Sequence, residues 1–368
     1  LGGNLSEARK KSIEYYLGDK LGTEIDGRSQ VVSTDVSDTI ESILPNLLRI
    51  FTASDKVVKC EPVTAEDVPL SEQATAYLNH VFYKDNDGFQ LLYNFFKDAL
   101  IEKNGFLKVY WDESETVEFE TYQNLSKADK DALNDTKDEI EIVEEEEFID
   151  EKAKEEFNKL LEQYKQQGLE IPPANEKDFT LYNCKIKRTK KHGKIKIESV
   201  PPEEFLIDRN AKTIQDADFV SHKVLMSRSD LVAMGYDEEE VKNLPASSDD
   251  IYNTEDMVRQ RNVDEYPVDN YTQGQNTKVL IYESYVRYDQ DEDGIAELRK
   301  IISAGDNGST ILENMPCDNI PFVTITPIPM PHRFYGRSVS ELVEDIQLMK
   351  STVMRQLLDN MYLTNNNR

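Results

Sequence analysis

Apolar residues recur at three- and four-residue steps from Val339 to about Asn365, and no Gly or Pro interrupts them. At about 100° per residue, Val339, Val343, Ile346, Val353, Leu357 and Met361 fall on one face of a helix. Leu342 and Met349 widen that face on one side, Met354 and Leu358 on the other. The opposite arc carries Glu341, Glu344, Asp345, Thr352, Arg355 and Asp359, yet Leu348 and Leu363 intrude even there. Ser338 stands where an N-cap is needed and Glu341 follows three residues on, the capping-box spacing. Acidic residues in the first two turns suit the positive end of the helix dipole. At about 1.5 Å per residue the rod reaches roughly 40 Å. So broad an apolar surface is expected to be covered on several sides, by the rest of the chain or by other subunits.

Upstream, residues 5–20 read as a polar helix, with Gly22 and Gly27 marking turns. Val36, Ile40, Ile43, Leu44, Leu47 and Phe51 predict a helix over 35–51, capped by Thr34 or Asp35, and Pro45 within it predicts a kink or break. A short strand is expected over 57–61, stopped by Pro62, followed by helices over 71–82 and 89–103. Asn104-Gly105 closes the second of these, and a strand over 106–111 follows at once. Residues 113–178 then change character: Asp138 to Glu156 holds eleven acids against two lysines. Phe157, Leu160, Leu161 and Tyr164 form a narrow stripe that stops at Gly168. The expectation is an acidic helical insertion, solvated on most sides. Lys185, Lys187, Arg188, Lys190, Lys191, Lys194 and Lys196 come next, alternating with Cys184, Ile186, Ile195 and Ile197 around His192-Gly193. That pattern reads as a β-hairpin turning at His192-Gly193. Strands are expected at 205–208 and 217–226, and a short helix at 229–234 with Ser227 or Ser229 as cap. A polar loop follows over 246–276, then two strands at 278–288 and 295–303. A five-proline strap over 316–331 surrounds the strand 322–325. The fold class is α+β, divided as 1–112, the insertion 113–178, a β-rich part 179–338 and the helix 339–368.

Charge narrows the chemistry. The chain has 368 residues, with 71 acids against 43 Lys and Arg, for a net charge of −28. Such a surface repels a phosphate backbone in general, and a sequence-specific DNA binder would show a basic stripe instead. The one basic cluster is more simply read as neutralising the acidic insertion, with Lys187, Arg188, Lys190 and Lys191 as electrostatic contacts; nucleic acid is the alternative. No stretch approaches a membrane span of about 18 apolar residues. Cys60, Cys184 and Cys317 are odd in number and far apart, which suits free thiols. His80, His192, His222 and His332 have no metal-ligand spacing. Leu1-Gly2-Gly3-Asn4 has neither an initiator Met nor a signal-peptide pattern, as expected of a chain that begins inside a longer one. Asp289, Asp291 and Asp293, with Gly294, open like a calcium loop, but Lys300 stands where a bidentate Glu is required and the flanks alternate as strands do. An acidic hairpin turn is the preferred reading there; a calcium-binding or protein-interaction module centred on it is the alternative function. Walker A, dinucleotide-binding, nucleophile-elbow and zincin motifs are all missing, so neither an enzyme nor a cofactor is expected.

Several blocks, in order, resemble a bacteriophage portal protein of the short-tailed-phage (podovirus) type. They are Gly27-Arg28-Ser29 with the helix from Asp35 to Phe51, and Asn104-Gly105-Phe106-Leu107-Lys108-Val109. Pro201-Pro202-Glu203-Glu204-Phe205-Leu206-Ile207-Asp208, Met234-Gly235-Tyr236 and the hairpin from Glu283 to Gly294 follow. Last is Phe334-Tyr335-Gly336-Arg337-Ser338 with Glu341, Asp345, Gln347, Arg355, Asp359 and Asn360. The resemblance spans nearly the whole chain. It implies a portal-like wing domain with 339–368 as a stem helix, in a dodecameric ring at one capsid vertex of the virion. It implies assembly in the host cytoplasm with scaffold and coat proteins, and docking of terminase and then of tail adaptors. Double-stranded DNA would pass without its sequence being read. Under that resemblance Glu341, Asp345, Lys350, Arg355, Asp359 and Arg368 are candidates for tunnel or subunit contacts. A portal would continue past Arg368, and the insertion at 113–178 is a departure from the family pattern.

Overall fold

The computed structural model describes residues 3–365, apart from 55, 127–128, 130–138, 150, 152–153, 155–179, 248–253, 261–275 and 306. The fold is a mixture of helix and strand, and the chain divides into two compact units, Leu1–Tyr110 with Lys196–Arg368, and Trp111–Ile195.

In the larger unit, α1 (Gly3–Leu17), α2 (Asp35–Thr52) and α4 (Gly88–Glu102) enclose a core of Ile13, Val36, Ile40, Leu44, Phe95, Phe96 and Leu100. α3 (Val68–His80) lies between α2 and α4 in sequence. β1 (Gly105–Leu125) starts directly after α4 and separates two cores by its period of two. Leu107 joins the helical core, whereas Phe106 enters a second one with Val200, Phe205, Val220, Phe322 and Phe334. The Phe106 and Phe205 rings stack with centroids 4.1 Å apart. Gly105 permits this tight junction, because a Cβ there would stand 2.1 Å from the Phe95 carbonyl oxygen. β9 (Phe322–Ile325) pairs antiparallel with β1, Gly105 opposite Ile325.

A second sheet has the order β4 (Phe205–Ile207), β5 (Phe219–Ser227), β6 (Lys278–Tyr288), β7 (Glu297–Ala304), β8 (Thr310–Pro316), antiparallel throughout. Two short helices, α5 (Arg228–Ala233) and α6 (Glu238–Asn243), cover its residues Val279, Ile281 and Ala304 with Leu231 and Val241. Ser227 caps α5 through the Asp230 N–H, as its sequence position suggests. α7 (Thr254–Gln260) lies within the stretch expected to be loop, and α8 (Val339–Asn365) is the long C-terminal helix. Among the described residues no helix is long and apolar enough to cross a membrane.

The larger unit corrects three local expectations. Pro45 does not break α2, which continues to Thr52: Val36, Ile40, Leu44 and Leu48 are all buried along it, and that docking outweighs one missing N–H. Residues 57–61 are not a strand. Their backbone is held by α3 instead, with Asn79 Oδ1 accepting from Val57 N (2.6 Å) and Thr75 Oγ1 from Cys60 N (2.9 Å). α4 ends at Lys103 with φ 85°, so Gly105 is already the first residue of β1 rather than a helix cap.

The smaller unit corrects two more. The acidic run expected to be helical is β2 (Glu139–Ile149), antiparallel to β3 (Thr180–Val200). Glu139-Ile140-Glu141-Ile142 has the strand period of two, and Ile142 faces the buried Ile186 across the ladder. The helical stripe from Phe157 to Tyr164 lies outside the described residues. Nor does a hairpin turn at His192-Gly193: β3 runs straight through it, and β1 follows β3 in the sheet order β2-β3-β1-β9. Gly193 gives room for an aromatic neighbour, since a Cβ there would lie 2.1 Å from the Trp111 indole.

Candidate functional site

α8 is built inside out. Its buried residues are Ser340, Gln347, Ser351 and Arg355, a polar stripe at helical spacing. On the nearly opposite face, Ile346, Met349, Val353 and Leu357 are each more than half exposed. Val339, Val343 and Leu348 contribute at the edge of the helical core. The chain therefore covers the polar side of this helix and leaves the apolar side in solvent, where it is least at home.

The polar stripe works because nearly every polar atom on it meets a partner, much of it backbone, on α1, on α2 or in the segment between them. Ser340 Oγ donates to Ser12 O (3.4 Å), and Gln347 Nε2 to Tyr15 O (3.0 Å) at the end of α1. Gln347 Oε1 accepts from Val36 N (2.8 Å), one of the orphan N–H groups in the first turn of α2. Ser351 Oγ accepts from Ser33 N (3.0 Å). Arg355 then clasps the strap between α1 and α2: Nε donates to Val31 O (2.8 Å), Nη1 to Thr23 Oγ1 (2.9 Å), Nη2 to Glu24 Oε1 (2.5 Å). Asp359 Oδ1 accepts from Ser29 N (2.8 Å) one turn later. Burial opposes the ionised Glu24 carboxylate, yet the Leu21 N–H and Arg355 together hold it below the usual range. Hydrogen bonds from Lys350 and Ser33 do the same for Asp35.

The remaining sequence candidates distribute as follows. Ser338 Oγ does accept from Glu341 N (3.1 Å), but the Glu341 side chain turns to Lys103 (2.7 Å) and Arg337 (3.6 Å) instead of closing a capping box. Asp345 is exposed. Lys350 sits 2.6 Å from Asp35 with about half its side chain in solvent (52 % exposed). Arg355, a candidate for tunnel or subunit contact, is instead a buried internal clamp with its side chain 8 % exposed. Arg368 lies outside the described residues. In the smaller unit Lys187 lies 3.5 Å from Glu141 and Arg188 3.3 Å from Glu120. The side chains of Lys190 and Lys191 are outside the described set.

The loop at Asp289, Asp291 and Asp293 brings three exposed carboxylates within 4.8 Å of one another. Their oxygens accept from the N–H groups of Asp293, Gly294 and Ile295, so the loop knits its own hairpin. Lys300 is on β7, 3.6 Å from Glu283, as a strand residue and not a loop ligand.

Two features escaped the sequence reading. One is the seam itself: Ser340, Gln347, Ser351 and Arg355 recur at helical steps, but small and polar residues are ordinarily assigned to solvent. The other is a cluster of buried carboxylates around Arg259, foreshadowed by Asp98 and Glu102 four residues apart on a largely apolar helix. Compared with protein-family models, the chain matches the one described as phage SU10 portal protein over residues 2–368.

Proposed function

This chain belongs to the phage SU10 portal protein family, and on that premise we propose that α8 is the stem helix through which neighbouring subunits touch. The family's role is structural: the protein is a component of the phage virion that serves genome packaging and head–tail connection as a ring of like subunits. The observation that carries the finer reading is the inverted amphipathicity of α8, whose exposed side bears Leu342, Ile346, Met349, Val353 and Leu357. Fully burying side chains of this kind contributes about 1.5–3 kcal/mol each, which a neighbouring copy supplies. A cyclic ring joins unlike faces head to tail, so the apolar stripe meets a different surface of the next subunit.

The rest of the larger unit then serves as the wing, and the ring is dodecameric. Terminase, scaffold and coat proteins and tail adaptors dock on its rim, and assembly occurs in the host cytoplasm. A net charge of −28 suits a conduit for DNA, because strong phosphate contacts would brake a sliding polymer. Lys350, tethered to Asp35 but half in solvent, is the candidate for weak contacts that read no sequence. Electron microscopy of the purified assembly tests this reading. Closed rings of one cyclic symmetry, with α8 lying between subunits, are expected. Open filaments, or rings in which α8 touches no neighbour, would overturn it.

A further inference from the structure

The Arg259 cluster has no part in the α8 surface: a guanidinium about one third exposed meets carboxylates that are mostly buried. Arg259, on α7, reaches three carboxylates: Glu102 (2.5 Å) and Asp98 (3.6 Å) on α4, and Glu203 (3.0 Å) in the turn before β4. Glu102 is 2 % exposed, and its Oε2 has no hydrogen-bond partner. Glu255, on the same α7, is likewise buried and faces Arg9 of α1, with Glu203 and Lys223 also within its field. Arg9 donates to Pro202 O (2.8 Å) and lies over the Tyr335 ring. Lys97, the remaining cation near Asp98, is engaged by Glu41 (3.1 Å). Arg259 thus has three carboxylates within 3.6 Å, and Arg9 faces a fourth.

A third carboxylate charge beside one guanidinium is poorly compensated, and a buried ionised oxygen without a donor is costlier still. We propose that Glu102 is a proton-operated latch: with its carboxyl neutral, α7 stays docked on α1 and α4 through Arg259, and loss of the proton loosens that docking. Electrostatics supports the geometry. Burial, reinforced by Glu203 and Asp98 and only partly offset by Arg259, pushes Glu102 up to about 8. Burial likewise raises Asp98, with Arg259 opposing and Glu203 adding to the shift. A carboxyl whose docked value is raised keeps a proton that the undocked form gives up. Its contribution is complete below the ordinary carboxylate range and is lost as pH rises through the docked value.

Hydrogen exchange of the 368-residue chain, corrected for intrinsic rates, tests the latch. Protection of the Thr254–Gln260 amides is expected to fall by up to about tenfold per unit between about pH 6 and about pH 8. Glu102→Gln, which keeps an acceptor for Arg259 without a titrating proton, is expected to flatten that slope. Protection of α7 that is independent of pH in the native chain, or a slope that Glu102→Gln retains, would overturn the proposal. Should the variant not fold, carboxyl-¹³C titration of the glutamate-labelled native chain decides. A Glu carboxyl titrating above about pH 6 is expected, and titration of every Glu in the ordinary range, near about 4.3, would sink the latch.

Discussion

Arg355 commits its whole guanidinium to the chain's own strap, and that makes it the most consequential single residue of the seam. Arg355→Ala leaves the Glu24 side chain, 7 % exposed, without its cation. Removing one partner of a buried pair costs about 3 kcal/mol or more. Chemical denaturation is expected to show a loss of that order, and a loss within error of zero would mean the clamp is idle. Arg355→Lys is expected to recover only part, because a single ammonium cannot serve Val31 O, Thr23 and Glu24 together. In the smaller unit, Gly193→Val puts side-chain atoms where the Trp111 indole lies. The chain has one tryptophan, so the expected outcome is a displaced emission maximum, and an unchanged spectrum would show that the indole does not rest there. Gly193 also illustrates how a glycine misleads: beside a histidine in an alternating stretch it suggests a turn, whereas here the missing Cβ is needed by a ring from another strand.

At the scale of elements, α8 separates two kinds of substitution. Aspartate at Ile346, Val353 and Leu357 together is expected to leave the chain's own unfolding within roughly 0.5 kcal/mol per site, as exposed positions usually do, while abolishing self-association. Gln347→Ala is expected to do the reverse, removing about 2 kcal/mol of stability because Val36 N loses its buried acceptor and Tyr15 O keeps only the Gly18 N–H. Pro45→Ala is expected to stabilise by roughly 1–3 kcal/mol, since α2 already continues through that position and the missing N–H is restored. The extent of α8 and its Ser338 cap were legible in the sequence, as were the pairs of strands around Asp289–Gly294 and the helix at Ser227. The orientation of α8 was not, because periodicity finds two faces and leaves open which one meets the fold. Glu144-Glu145-Glu146-Glu147 looked helical for a related reason: four consecutive acids mask the alternation on either side, and pairing with β3 decides the outcome.

At the scale of the whole molecule, the ionisable groups fall into two opposed sets. Asp35, held down by Lys350 and Ser33, and Glu41, held down by Tyr16 and Lys97 against burial, contribute stability that is present above their ordinary range and lost as pH falls through their folded values. Glu102 and Asp98 contribute in the opposite sense and fade as pH rises. Thermal melts across pH are expected to show both limbs, with Asp35→Asn flattening the acid limb and leaving the alkaline one. Equal effects of that variant on both limbs would contradict the assignment. The stem-helix proposal depends on neither limb; it depends on what covers α8. Light scattering coupled to size-exclusion chromatography tests that most directly, on the native chain and on Ile346→Asp/Val353→Asp/Leu357→Asp over a range of concentrations. The expected result is an assembly of defined mass for the native chain and a folded single subunit for the variant. A native chain that stays monomeric at every concentration, or a triple variant that assembles unchanged, would contradict it.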